Sequence, residues 1–174
     1  TIHGHKRNRT PIWLMRQAGR YLAEYRAIRA TQKDFISFCL SPKQASAVTL
    51  QPITRYKFDA AIIFSDILMV PWALERNVRF KQNVGPLLDP LDIPTSLDQR
   101  LINDIPNRLA PVGEAIRLTK ANLSPQTALI GFAGAPWTIM TYMAEGGSSR
   151  DFSKTRGWAW QYQKEIDALL DSLI

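Results

Sequence analysis

Apolar residues fall into three short uninterrupted runs, at residues 12–15 (IWLM), 60–64 (AAIIF) and 127–132 (TALIGF). Runs without polar alternation read as parallel strands covered on both faces. After each, the apolar period lengthens to three and four, as in helices. Residues 21–30 place Leu22, Tyr25, Arg26 and Arg29 on one helical face. Ser41, Pro42 and Gln44 supply a second helix start, with serine as N-cap and a capping-box glutamine. Ala45, Val48, Pro52, Ile53 and Tyr56 carry that helix to Lys57, with a kink expected at Pro52. Residues 71–94 read as irregular, broken by Gly85, Pro86, Pro90 and Pro94, with a short strand at 78–80. A short helical stretch opens at Ser96 and Leu97. Residues 111–123 form an amphipathic helix with Val112, Ala115, Ile116, Thr119 and Leu123 inward, ended by Ser124 and Pro125. A helix begins at Pro136 and is stopped by Gly146 and Gly147. Over residues 158–174, Trp158, Tyr162, Ile166, Leu169, Leu170 and Leu173 share a face. Three strands, each leading into a helix, argue for β/α units around a parallel sheet.

Charge changes this picture at one place. Lys6, Arg7, Arg9, Arg16, Arg20, Arg26 and Arg29 face a single acid, Glu24, in the first 29 residues, so nearly all of the net charge of +7 sits there. Guanidinium groups hold carboxylates in bidentate pairs, so this concentration marks an anion site. In RQAGR, Arg16 and Arg20 flank Gln17, Ala18 and Gly19, a spacing that lets both heads converge on one ligand. Gly19 lets backbone N–H groups approach it. A solvated basic face is the bland alternative. The apolar run that leads into the arginines argues against it.

Other chemistry is sparse. Residues 1–10 read as a mobile basic arm, and residues 11–174 as part of one domain. His3 and His5 lie in that arm, far from the single cysteine, so no metal site is expected. Cys39, between Phe38 and Leu40, reads as a buried thiol. No apolar run reaches the roughly 20 residues of a membrane span, which implies a soluble, cytoplasmic protein. No glycine-rich nucleotide fingerprint follows any strand. Asp66, directly after the second strand, is either a helix N-cap or a catalytic carboxylate on the C-terminal rim of a parallel sheet. The apolar residues 67–70 would keep it dry, and the arginines are its candidate partners. The small-residue turn 133–135 before Pro136 suits either an anion or close packing between strand and helix.

Three blocks, PIWLMRQAGRYLAEYR, LQPITRYKFDAAIIFSDIL and LIGFAGAPWTIMTYMAEGG, closely resemble the uroporphyrinogen decarboxylase family. The resemblance runs from about Pro11 to the end. It implies a (β/α)8 TIM barrel, of which this chain is about the N-terminal half, truncated at Ile174. It also implies a homodimer and the removal of CO2 from four acetate arms of uroporphyrinogen III, giving coproporphyrinogen III, without metal or organic cofactor. By motif it makes Arg16, Arg20 and Arg29 carboxylate binders, with Gln17, Ala18 and Gly19 in the same loop. Asp66 becomes the central aspartate and Tyr142 a substrate contact. Arg16 joins Asp66 as a catalytic candidate, as binder first and acid second. Ala23 replaces a proline of the family pattern, and Glu75 stands where a glycine is common. The family's serine and histidine contacts would lie outside these residues, so residues 1–174 are expected to be inactive alone.

Two other functions compete. A cobalamin-linked methyltransferase shares the barrel but usually holds zinc through His and Cys. A basic module binding nucleic acid through residues 3–29 fits less well, because the arginines alternate with buried-type segments; no nucleic-acid or membrane partner is expected.

Overall fold

The computed structural model describes residues 9–15, 17–81, 84–95 and 97–174. Two strands form a parallel pair: β1 (Ala60–Ile62) and β4 (Ala128–Ile130), with Ala60 opposite Ala128 and Ile62 opposite Ile130. The Ile63 N–H extends the ladder to the Ile130 carbonyl. Helix α3 (Pro42–Tyr56) packs against β1 and against α6 (Ala110–Asn122), and Ala45, Ile63 and Ala115 meet in that layer. Strand–helix–strand order with a parallel register makes this an α/β fold.

The first apolar run departs from expectation. Residues 12–15 form no strand, and all four side chains are exposed, Met15 at 73%. The segment does lie along the free edge of β1: the Asp59 N–H donates to the Ile12 carbonyl and the Gln17 amide to the Ala60 carbonyl. An apolar run shows that a segment can be buried, but not whether neighbours cover it. Nor is residue 9 a loose arm. Arg9 holds Asp59 through two bonds of 2.8 and 2.6 Å, and the same carboxylate accepts the Ile12 N–H. Residues 1–8, with His3 and His5, lie outside the described residues.

The helices follow the sequence more closely. Helix α1 (Ala23–Ala30) buries Tyr25, and Leu22 just before it is buried as well. A short α2 (Phe35–Cys39) is capped by Asp34, whose carboxylate accepts the Ser37 N–H. Ser41 precedes α3 as expected, but its hydroxyl bonds the Gln44 side chain instead of closing a capping box onto the backbone. The stretch read as irregular holds α4 (Met69–Ala73) and an antiparallel hairpin, β2 (Arg79–Lys81) with β3 (Gly85–Leu87). Proline at Pro86 hid this hairpin, because an edge strand tolerates a residue without an N–H. Helix α5 (Gln99–Arg108) starts at Asp98. In α6, Ala115 and Thr119 are buried as expected, whereas Ile116 is exposed. Helix α7 (Pro136–Glu145) starts at Pro136 and ends at Gly146, whose φ of 77° suits glycine. The last helix is two, α8 (Ser153–Gln161) and α9 (Gln163–Asp171), broken at Tyr162. Their shared apolar face still packs Trp158, Ile166 and Leu169 against Met140 and Ala144 of α7. No helix among the described residues is long and apolar enough to cross a membrane.

Candidate active site

Because β1 and β4 run parallel, the loops after both strands open on the same rim. The loop after β1 carries Asp66. Its position is set by Thr49, a buried hydroxyl on α3 that donates to the Ala45 carbonyl at 2.7 Å and accepts the Phe64 N–H at 2.8 Å. Asp66 then accepts the Leu68 N–H at 2.8 Å and its carbonyl takes the Met69 N–H, a local turn leading into α4. Among the described residues Asp66 forms no ion pair, and Arg16, one of its expected partners, lies outside them. Burial pushes its carboxyl above the usual range, and the Leu68 N–H only partly offsets that. The charged form is therefore held under-compensated.

The loop after β4 explains its small residues by packing. A Cβ on Gly134 would lie 2.9 Å from Ile139 Cγ1, 3.1 Å from Ile67 Cβ and 3.3 Å from the Ile67 carbonyl oxygen. Gly134 thus lets the turn into α7 press against the residue after Asp66. Gly134→Ala is expected to destabilise the protein by about 1–3 kcal/mol through this overpacking, read as a lower urea midpoint. An unchanged midpoint would show that the Asp66 loop yields freely.

The arginine loop is fixed by Gln17. This residue is buried; its amide oxygen accepts the Leu14 N–H at 2.9 Å and its amide nitrogen reaches the Ala60 carbonyl at 3.0 Å. Its backbone carbonyl accepts the Tyr21 hydroxyl. Both ends of the side chain are occupied within the protein, so Gln17 positions the loop. Ala18 and Gly19 are half-buried, and a Cβ on Gly19 would meet only the Tyr21 ring at ordinary contact distance. Arg16 lies outside the described residues.

Arg20, Arg26 and Arg29 have no carboxylate partner among the described residues. Arg26 donates to the Arg20 carbonyl and Arg29 to the Gln32 carbonyl. The nearest acid in sequence, Glu24, is taken by Arg55. Burial raises the Tyr25 phenol, and Arg29 and, less strongly, Arg20 oppose that rise. Cys39 is a buried thiol, as the sequence implied, pushed up to about 12 by burial and then by Asp66, with Arg29 acting the other way. Arg20 and Arg29 thus act on Tyr25, and Arg29 and Asp66 on Cys39, beside the aromatic core of Tyr25, Phe38 and Phe64, while neither Arg20 nor Arg29 acts on Asp66 itself.

Tyr142 approaches from α7. It is half-buried, packs on the cluster containing Leu68 and Ile67, and lines a cavity of about 440 Å³ between α7 and α8. No group of three or more His, Cys, Asp or Glu that could hold a metal occurs among the described residues.

The family model for uroporphyrinogen decarboxylase (URO-D) matches residues 1–174. The chain belongs to that family. It is 52% identical over 164 residues to uroporphyrinogen decarboxylase of Rhodospirillum rubrum, covering 94% of this chain and 47% of the relative. The corresponding protein of Caulobacter vibrioides is 47% identical over 173 residues, 99% of this chain and 49% of the relative. The chain thus spans about half the length of the curated relatives it matches. A solved methyltransferase from Methanosarcina mazei is similar in fold, with a TM-score of 0.61 at 13% identity over 84% of this chain and 43% of its own. At that identity the likeness concerns the fold alone.

Within the family pattern the glycine replaced by Glu75 gains a physical meaning. Glu75 adopts a left-handed φ of 59°, and its carboxylate pairs with Arg108 at 2.7 Å on the surface. A non-glycine residue there is strained by about 1 kcal/mol, whereas an exposed ion pair returns little. Glu75→Gly is expected to stabilise the protein by roughly 0.5–1 kcal/mol in urea unfolding, and Glu75→Ala not to. A loss with glycine would show that the Arg108 pair outweighs the strain.

Proposed function

We propose that this chain supplies the substrate-facing part of a uroporphyrinogen decarboxylase, a carboxy-lyase of haem and porphyrin biosynthesis. It would remove CO2 from the four acetate arms of uroporphyrinogen III to give coproporphyrinogen III. The observation that carries the reading is a desolvated Asp66 on the rim after β1, in a chain whose Arg20 and Arg29 are free of carboxylate partners among the described residues. Family membership supports the same reading. The complete enzyme would be a cytoplasmic homodimer of (β/α)8 barrels, and residues 1–174 alone would be inactive.

The chemistry follows from the substrate. An acetate on a pyrrole keeps its carboxylate until the ring accepts electrons, so a proton first adds to a pyrrole carbon. The bond from methylene to carboxylate then breaks, its electrons neutralise the ring cation as an exocyclic methylene, and CO2 leaves. Protonation of that methylene gives a methyl group, and loss of the proton first added to the ring restores the pyrrole. The protonated pyrrole is itself the electron sink, so the reaction calls for no cofactor. Asp66 would accept the pyrrole N–H groups and stabilise the cation, with greatest effect where water is excluded. Arg20, Arg29 and Arg16 would hold the carboxylate arms, with Ala18 and Gly19 shaping the loop and Tyr142 bounding the ring. Arginine does not give up its proton in proteins, so Arg16 would serve as binder first.

The test is anaerobic incubation of uroporphyrinogen with a full-length chain carrying these residues, followed by oxidation and chromatography. The expected result is a series of porphyrins with seven, six, five and four carboxylates. Unchanged substrate at stoichiometric enzyme would end the proposal.

A further inference from the structure

The cavity beside Tyr142 contains chemistry that the arginine loop and Asp66 do not account for. Trp137 and Phe152 give it aromatic walls, Ser148 and Thr138 line it with hydroxyls, and Arg156 stands at its edge. Arg156 is exposed and has no carboxylate partner among the described residues. Its nearest acid in sequence, Asp151, accepts a bond from Ser149 instead. An arginine lining an aromatic-walled cavity of about 440 Å³ suits a flat ring bearing a carboxylate arm.

The cavity is built, not incidental. Glu145, at the end of α7, accepts the Thr155 N–H at 2.9 Å and the Thr155 hydroxyl at 2.8 Å. Those two bonds fix the first turn of α8 against α7 and so place Arg156, the next residue. From the other side, Gly147 bridges to Leu87 of the hairpin, and the Leu88 N–H bonds the Gly146 carbonyl at 3.0 Å. The cavity begins at Trp137 in the first turn of α7, three residues beyond the glycine that packs on Ile67. Tyr142, which lines it, packs on the cluster that holds Ile67 and Leu68 of the Asp66 loop.

We propose that this cavity receives one pyrrole ring of the polycarboxylate substrate and that Arg156 pairs with a carboxylate arm of that ring. The proposal rests on the decarboxylase reading for the identity of the ring, and on the cavity for its place. Arg156 would bind without taking part in the bond-breaking step.

The experiment measures binding of uroporphyrin, the oxidised and unreactive octacarboxylate, by tryptophan quenching in a full-length chain carrying these residues. The parent, Arg156→Gln and Arg156→Lys are compared, with kcat and KM for uroporphyrinogen measured in parallel. Loss of one charge-assisted bond is expected to raise Kd and KM about tenfold in Arg156→Gln, with kcat held within about twofold and lysine restoring most of the affinity. A Kd for Arg156→Gln within about twofold of the parent overturns the subsite, even if the parent decarboxylates normally. A parent that fails to decarboxylate while Arg156→Gln still weakens uroporphyrin binding overturns the catalytic reading and supports the subsite. Absence of uroporphyrin binding by the parent overturns both.

Discussion

Asp66→Asn is expected to lower kcat about a hundredfold to a thousandfold, the scale of losing one preorganised group that stabilises transition-state charge. The same change should make the folded protein more stable at neutral pH. Burial raises the folded carboxyl above its unfolded value, so the native state prefers the protonated form. The penalty for the ionised form is absent below the unfolded value near about 3.9, grows as pH rises through the folded value, and is then fully present. Asparagine keeps an oxygen to accept the Leu68 N–H and removes the charge. Urea unfolding at pH 7 and at pH 3 checks this, with the gain expected at pH 7 and absent at pH 3. A less stable variant at pH 7 would mean that the charge is compensated by a partner.

The second large effect concerns the arginines. The charge of Asp66 also repels the carboxylates it must face, by about 4 kcal/mol for a unit pair at 4 Å and an effective dielectric near 20. In the proposed reading Arg20 and Arg29 would offset that repulsion. Each pairs with no carboxylate among the described residues, so removing either frees no acid; Arg29→Ala also gives up the bond to the Gln32 carbonyl. Arg20→Ala and Arg29→Ala are each expected to raise KM about tenfold to a hundredfold with little change in kcat. Salt should discriminate as well: the parental KM should rise with ionic strength, and the double variant should flatten that rise. A KM unaffected by both substitutions would assign the anion site elsewhere.

The elements that carry the candidate site were legible where their signals are local. The aspartate after an apolar run and the proline-to-glycine bounds of α7 are short-range signals on elements that form as their sequence suggests, whereas RQAGR follows a run that forms no strand. What stayed hidden depends on distant partners. Gln17 looked like a ligand residue in a basic loop, but its amide is used on a carbonyl 43 residues away. Asp59 carried no sequence signal of a distant partner, yet it anchors Arg9 and Ile12. Gly134 left anion binding and packing open until Ile67 was seen against it. Residues 12–15 carried the right composition for a strand, but pairing and cover come from neighbours, and here they run beside β1 without a ladder.

The central claim divides labour between one carboxylate, Asp66, and two arginines, Arg20 and Arg29. Steady-state kinetics of Asp66→Asn and of the Arg20→Ala, Arg29→Ala double variant, run side by side on uroporphyrinogen in a full-length chain, test it most directly. The account predicts that kcat collapses in the first at near-parental KM, and that KM rises in the second at near-parental kcat. Near-parental turnover by Asp66→Asn, with the loss of kcat following the arginines instead, would contradict it.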